Sequence, residues 1–224
     1  MQYVAQVDCS CQRDPCKRKQ YTPLKGYHYT GKILAQYEEV PLRICIRGCR
    51  KYYECHSFNM KWMNPSRTIG KCSLLEEVTI GSFEAEADYT HYYWCPKKMT
   101  YNLETGTCIT NKTGLSWPLA NSFCQNLHPG AHLVGIQSET EEKAYGTIFG
   151  NFTSIWTSGK RPKDGELNEF YWTYSGERVT YSNWNCSQPN HKYDESNCIR
   201  INQKNNYKWS DNICTKPGTA LCVW

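Results

Sequence analysis

Tyr181-Ser182-Asn183-Trp184-Asn185-Cys186-Ser187-Gln188-Pro189-Asn190, followed by Cys198, Lys208-Trp209-Ser210-Asp211, Cys214 and Cys222, is the stretch whose reading decides the fold. Proline and asparagine interrupt any regular element in its first half. Trp209-Ser210-Asp211 supplies the second loop, set between Cys198 and the end of the chain that holds Cys214 and Cys222. The layout brings amide and carboxylate oxygens from two loops towards one cysteine-bearing hairpin, as a shallow ligand site on a rigid support requires.

The rest of the composition sets the compartment. The chain has 224 residues, room for two domains each with a modest core. Its 14 cysteines are even in number and scattered, and they accompany three Asn-x-Ser/Thr sequons at Asn111, Asn151 and Asn185. That combination reads as a secreted, extracellular, disulfide-stapled glycoprotein. Structural zinc would need paired Cys-x-x-Cys knuckles, and the sequence has none. No apolar run approaches the roughly 20 residues that span a bilayer. Met1-Gln2-Tyr3-Val4-Ala5 lacks a signal peptide's basic-then-apolar order and reads as a mature chain with a new start methionine.

The net charge of +5 is unevenly spread. Up to Leu75 there are 13 Lys/Arg against 5 Asp/Glu, whereas residues 76–94 carry five acids and neither Lys nor Arg. That acidic stretch separates two cysteine-rich blocks, so the domain junction is expected there, giving residues 1–92 and 93–224.

In the first block, Pro41 to about Glu54 reads as a helix, with proline in its first turn. Leu42, Cys45, Ile46, Cys49, Tyr52 and Tyr53 fall on one face, while Arg43, Arg47, Arg50 and Lys51 cluster opposite. Cys55-His56-Ser57-Phe58-Asn59-Met60 alternates like a strand, and Gly70-Lys71-Cys72-Ser73-Leu74-Leu75 like its partner. A helix bearing two cysteines, a Cys-x-x-Phe strand and a Cys-x-Leu strand resemble the PAN/apple family over about residues 40–75. The resemblance implies Cys45–Cys72 and Cys49–Cys55 disulfides on a helix laid over an antiparallel sheet, and a domain that binds proteins or glycans without catalysis. Cys9, Cys11 and Cys16 depart from that pattern and their pairing is open. The basic face is either a solvated exterior or a site for an anionic glycan.

In the second block, Ser116–Leu127 reads as an amphipathic helix with Leu119, Phe123 and Leu127 on one face, and Ser138-Glu139-Thr140-Glu141 as a capping box opening a second helix to about Phe149. Short aromatic strands follow: Trp156-Thr157-Ser158-Gly159, Phe170-Tyr171-Trp172 and Val179-Thr180-Tyr181. Ala131-His132-Leu133-Val134, Ile155-Trp156, Tyr171-Trp172-Thr173, Tyr181-Ser182-Asn183-Trp184, Gln188-Pro189-Asn190, Lys208-Trp209-Ser210-Asp211 and Leu221-Cys222 resemble, in order, the C-type lectin domain from about residue 95 to the end. The expected fold class is therefore α+β, an apple-like helix-on-sheet domain followed by a C-type lectin fold of the long form. The resemblance implies Cys124–Cys222, Cys198–Cys214 and an additional Cys95–Cys108 pair.

In that family a calcium ion and a sugar share oxygens from two motifs, the first built around a cis proline. The resemblance places Gln188, Asn190 and Asp211 at three calcium and sugar positions. Where an acid is expected before Cys198 stands Ser196, with Glu195 one step out of register, and Ser210 replaces an asparagine. Calcium needs 6–8 oxygens, several of them charged. Calcium is therefore expected to be absent or weakly held, with Glu195 swinging inward as its route to retention. Without calcium, Pro189 is free to take either isomer. Gln188-Pro189-Asn190 is a hybrid of the mannose-type and galactose-type motifs, so it does not name the sugar. Tyr193 and Tyr207 are expected ligand contacts, and Trp184 and Trp209 core. Cys186, inside the Asn185 sequon, pairs with one of Cys9, Cys11 and Cys16, with another chain, or with a local partner. If it is bridged, glycosylation is expected at Asn111 and Asn151 only.

Two readings of function follow. One is a secreted adhesion protein that binds glycans or a glycoprotein partner through a lectin-like domain with a degraded calcium site. The other is a calcium-independent protein-binding module that uses the fold as a loop scaffold. The sequence has no HExxH, no Gly-x-Ser-x-Gly elbow and no phosphate loop, so an enzyme is not expected. Nor is a nucleic-acid binder.

Overall fold

The computed structural model describes residues 20–52, 54–163, 165–192 and 196–224, and these divide into two compact units, 1–94 and 95–224. In the first unit, a long strand β1 (Thr22–Val40) leads into helix α1 (Leu42–Lys51), followed by β2 (Ser57–Trp62) and β3 (Gly70–Tyr93). β1 and β3 are antiparallel along most of their length, from Thr22↔Tyr93 to Val40↔Gly70. Midway along β3 the Ser82 hydroxyl accepts from Thr30 N at 3.2 Å and donates to Thr30 O at 2.9 Å. β3 curls so that its two halves run in the same direction on either side of β2: Ser57 pairs with Leu75 and Tyr93, and Met60 with Cys72 and Thr90.

That arrangement explains two departures from the sequence reading. β2 does not alternate but is buried on both faces apart from Lys61, because it is central. The acidic stretch 76–94 is mostly the second half of β3, and the junction falls at its end rather than within it. Its carboxylates meet cations of the neighbouring strands: Glu76 lies 2.7 Å from Lys32, and Glu86 and Asp88 each lie 3.7 Å from Lys61. The unit ends at Trp94, two residues beyond the expected boundary.

α1 is shorter than expected. Tyr52 is already extended, with its carbonyl accepting from Cys55 N at 3.2 Å, and its side chain is exposed. Tyr53 lies outside the described residues. The helix packs through Cys45, Gly48 and Cys49, and a Cβ at Gly48 would stand 3.0 Å from the Tyr37 ring. Disulfides join Cys45 to Cys72 and Cys49 to Cys55, over a core of Phe58, Met60, Trp62, Leu74 and Tyr92.

The second unit contains β4 (Thr100–Asn102), β5 (Thr107–Leu115), α2 (Trp117–Gln125), β6 (His132–Leu133), α3 (Glu139–Phe149), β7 (Ser154–Lys160), β8 (Tyr171–Trp172), β9 (Ser196–Asn202), β10 (Lys208–Ile213) and β11 (Gly218–Val223). The sheet order is β10-β9-β7-β11-β5-β4, with β6 beside β11 and β8 beside β7. β11 is buried along its whole length and runs parallel to β7. Two indoles tie the layers together: Trp117 Nε1 donates to Thr157 O at 2.8 Å and Trp156 Nε1 to Leu115 O at 3.0 Å. Disulfides join Cys95 to Cys108, Cys124 to Cys222 and Cys198 to Cys214.

α2 is rotated from the expected orientation: Phe123 and Leu127 pack against the core, but Leu119 does not. Trp117, Ala120 and Cys124 are buried while Leu119 is 60% exposed. The Trp117 hydrogen bond and the Cys124 disulfide fix the rotation, and apolar periodicity alone cannot see either. Ser138 caps α3 by accepting from Glu141 N at 3.1 Å, and the Glu141 carboxylate takes Gln137 N at 2.7 Å. Residues 179–181 form no strand; Val179 N donates to Phe170 O instead.

Candidate functional site

Between β8 and β9 the described chain runs irregularly, and β10 is its support. Trp209 N donates to Asn183 O and Asn185 N to Trp209 O, each at 2.9 Å. The Trp209 ring is fully buried, and Tyr181, Trp184 and Trp172 present edges to it with centroids 5.8–6.0 Å away. Such edge-to-face pairs add packing energy beyond the area they bury. Trp184 is half-buried, part of that platform.

Two residues from Trp209, Asp211 meets the loop. The Gln188–Pro189 peptide is cis. Beyond it, Asn190 N donates to Asp211 Oδ1 at 2.9 Å and His191 N to Asp211 Oδ2 at 2.8 Å. His191 Nδ1 lies 3.7 Å from the same carboxylate, whose side chain is wholly buried. Charge-assisted bonds of this kind are about twice as strong as neutral ones. His191 Nε2 is 3.1 Å from Asn168 Oδ1, which ties the loop to residues 165–170.

The structure thus brings Gln188, Asn190 and Asp211 together. Gln188 Oε1 is buried with no hydrogen-bond partner, while Asn190 Oδ1 accepts from Lys192 N at 2.9 Å on an exposed residue. Tyr193 and Glu195 lie outside the described residues. Tyr207 is placed elsewhere. It sits in the turn before β10, four residues from Asp211, which is roughly 13 Å along a strand, and its ring stacks on Phe149 at 6.3 Å. The turn sets this position, because Asn206 and Tyr207 both adopt left-handed backbone, at φ 53° and 58°.

The donor set can be tested against calcium. Among the described residues the loops offer one carboxylate, and both its oxygens already hold backbone amides. Ser210, at an expected ligand position, is turned away: its hydroxyl accepts from Asn202 Nδ2 at 2.8 Å. Gln188 and Asn190 bring neutral oxygens. No group of three or more His, Cys, Asp or Glu side chains among the described residues is arranged to hold a metal. A dication needs several anionic donors, and the described residues of these loops supply one that is already bonded twice.

Glu142 of α3 is a residue the sequence reading missed. Its carboxylate accepts from Trp209 Nε1 at 3.0 Å and from the Tyr181 hydroxyl. Burial first, then this hydrogen bond, push the Tyr181 phenol above its usual range. No sequence motif announces such a contact across 67 residues.

The other expected residues lie apart from these loops. Arg43, Arg47, Arg50 and Lys51 are exposed on α1. Asn111 is exposed on β5, and Asn151 is exposed just beyond α3. Cys186 is exposed and joined to no described cysteine, while Cys9, Cys11 and Cys16 lie outside the described residues. No helix among the described residues is long and apolar enough to cross a membrane.

Residues 113–224 match the Lectin C-type domain family. Ladderlectin of Oncorhynchus mykiss is 31% identical over 107 residues, 46% of this chain and 54% of its own, so the chain spans about half of that relative. Lectin BRA-3 of Megabalanus rosa is 28% identical over 130 residues, 57% of this chain and 77% of its own. Among solved structures, the cow C-type carbohydrate-recognition domain of CD23, determined in the presence of a GlcNAc2Man3 oligosaccharide, aligns with 58% of this chain and 95% of its own at 26% identity and a TM-score of 0.48. On the family match, which reaches from β5 to the last residue and takes in both loop motifs, the chain belongs to the C-type lectin domain family.

Proposed function

We propose that this chain is a secreted recognition protein whose lectin domain binds a glycan or a glycoprotein through Gln188, Asn190 and the loop held by Asp211, without depending on calcium. The carrying observation is the Asp211 carboxylate, which bonds Asn190 N and His191 N and so fixes the loop with the protein's own groups. Asn190, exposed beyond the cis proline, is a polar side chain that a sugar hydroxyl can reach. The disulfides agree with an extracellular setting. Residues 1–92 are read as a PAN/apple-like adhesion domain, supported by a helix stapled through Cys45 and Cys49 to strand cysteines of an antiparallel sheet. Its basic face, Arg43, Arg47, Arg50 and Lys51, would add affinity for anionic glycans. The protein is read as non-catalytic.

A glycan array run with calcium and with a chelator tests this function. Binding that is equal in both supports it, and binding abolished by the chelator refutes calcium independence. Tight binding to an enzymatically deglycosylated partner, with no signal on the array, would favour the second reading, in which the loops recognise protein alone.

A further inference from the structure

The lectin domain has a second concavity, of about 480 Å³, that shares no lining residue with the Gln188–Asp211 loops. It opens beside the Cys198–Cys214 disulfide, and Lys160, Arg161, Lys163 and Tyr171 line it, with Asn197 and Thr215. Three of these are cations, and no carboxylate lines it among the described residues.

Arg161 is the unusual member. Only 9% of it is exposed, and Asn197 grips it twice: Arg161 N donates to the Asn197 carbonyl at 2.8 Å and Arg161 Nε to Asn197 Oδ1 at 2.9 Å. Those bonds fix the guanidinium plane and leave its Nη groups without a hydrogen-bond acceptor or counter-ion in the described structure. The Lys160 ammonium sits 5.0 Å from the centroid of Trp117, and neither Lys160 nor Lys163 forms an ion pair in the described structure. The nearby Glu169 carboxylate is committed elsewhere, to Arg178 at 3.1 Å and the Tyr171 hydroxyl at 3.4 Å. The Nη edge of the guanidinium keeps contact with solvent and is open to an incoming anion. A planar fork flanked by two point charges is the arrangement that recognises an oxyanion.

We infer that this groove binds the sulfate or carboxylate group of an acidic glycan, with Arg161 as the bidentate contact and Lys160 and Lys163 as flanking charges. Tyr171 and Pro162 give it the apolar face on which a sugar ring packs. The choice of a glycan rests on the function proposed above; the choice of an anion rests on the groove alone.

The test is calorimetry on the full chain with a heparin-derived sulfated hexasaccharide, its desulfated counterpart and 3′-sialyllactose, at low and high salt. Binding is expected for the sulfated probe, the sialylated probe or both, which tells sulfate from carboxylate, and it should vanish for the desulfated probe and weaken in high salt. Lys160→Gln with Lys163→Gln should weaken binding about three- to tenfold, and Arg161→Gln should weaken it further. The Arg43→Gln/Arg47→Gln/Arg50→Gln variant, which strips the basic face of α1, should still bind, and the lysine pair should weaken binding in that background too. Should Arg161→Gln misfold, the lysine pair still decides. Unchanged affinity in the lysine pair, loss in the α1 variant alone, or no binding of either acidic probe would overturn the inference. Equal competition by an acidic peptide would overturn the glycan assignment. A loop site that fails on the array leaves this result untouched, so the two readings fail separately.

Discussion

Asp211 is the residue on which the loop depends, since two backbone amides end on one buried carboxylate. Asp211→Ala strips both of their acceptor, and each orphaned donor costs about 1–3 kcal/mol. The variant should melt measurably lower and exchange the Asn190 and His191 amide hydrogens faster, while Asp211→Asn, which keeps one acceptor oxygen, should fall between. Unchanged exchange at both amides would contradict the assignment. His91 offers a second case at this scale. Fully buried on β3, it has Nδ1 2.8 Å from Asn59 Oδ1 of β2 and its ring 4.5 Å from that of Tyr29 of β1. Burial, helped by the neighbouring His28, pulls its pKa from 6.5 to about 3. The unfolded chain therefore takes up a proton below about pH 6.5 that the folded chain refuses until about pH 3. This group's share of stability is whole above that window and is lost as pH falls through it, at about 1.4 kcal/mol per pH unit. Thermal melts between pH 7 and 4 should show a shallower acid slope for His91→Gln than for the parent chain.

At the scale of elements, the readings that held were those a local pattern controls. The cap at Ser138 is written in four residues, and α3 starts where Ser138 accepts from Glu141 N. The face of α2 was misjudged because the Trp117 indole and the Cys124 disulfide, both long-range, set its rotation. The acidic stretch 76–94 drew attention as the place of the junction, whereas its membership of β3 stayed hidden, because its carboxylates face lysines far away in the chain and nothing nearby in sequence reveals their partners. Tyr207 was assigned to the site by its closeness in sequence to Asp211, yet successive left-handed residues turn it onto Phe149. Gly70 shows how closely β2 and β3 approach each other. A Cβ there would sit 2.3 Å from the carbonyl oxygen of Lys61, backbone that cannot step aside. Gly70→Ala should therefore destabilise the first unit by several kcal/mol, in the range of overpacked cores or beyond. Limited proteolysis should then cleave within residues 20–94 while residues 95–224 stay resistant; equal resistance in both would count against the close approach.

For the molecule as a whole, the question is whether a divalent ion belongs in it. The sequence carries the oxygen-bearing motifs, and the structure gathers three of their residues, Gln188, Asn190 and Asp211. What the sequence did not reveal is where those oxygens are spent, because backbone amides that claim a carboxylate leave no trace in side-chain identity. A ligand that binds only the folded chain stabilises it by RT ln(1 + [L]/Kd), about 2.7 kcal/mol at a hundredfold excess over Kd. A calcium site with a Kd near 10 µM would thus raise the melting temperature of the second unit by several degrees in about 1 mM calcium. Because Asp211 is already bonded twice and Ser210 faces Asn202, the expected shift is nil, and the melts in calcium and in chelator should superimpose. A rise of several degrees that saturates with calcium would mean that the loop reopens to release Asp211, and Asp211→Ala should then abolish that rise.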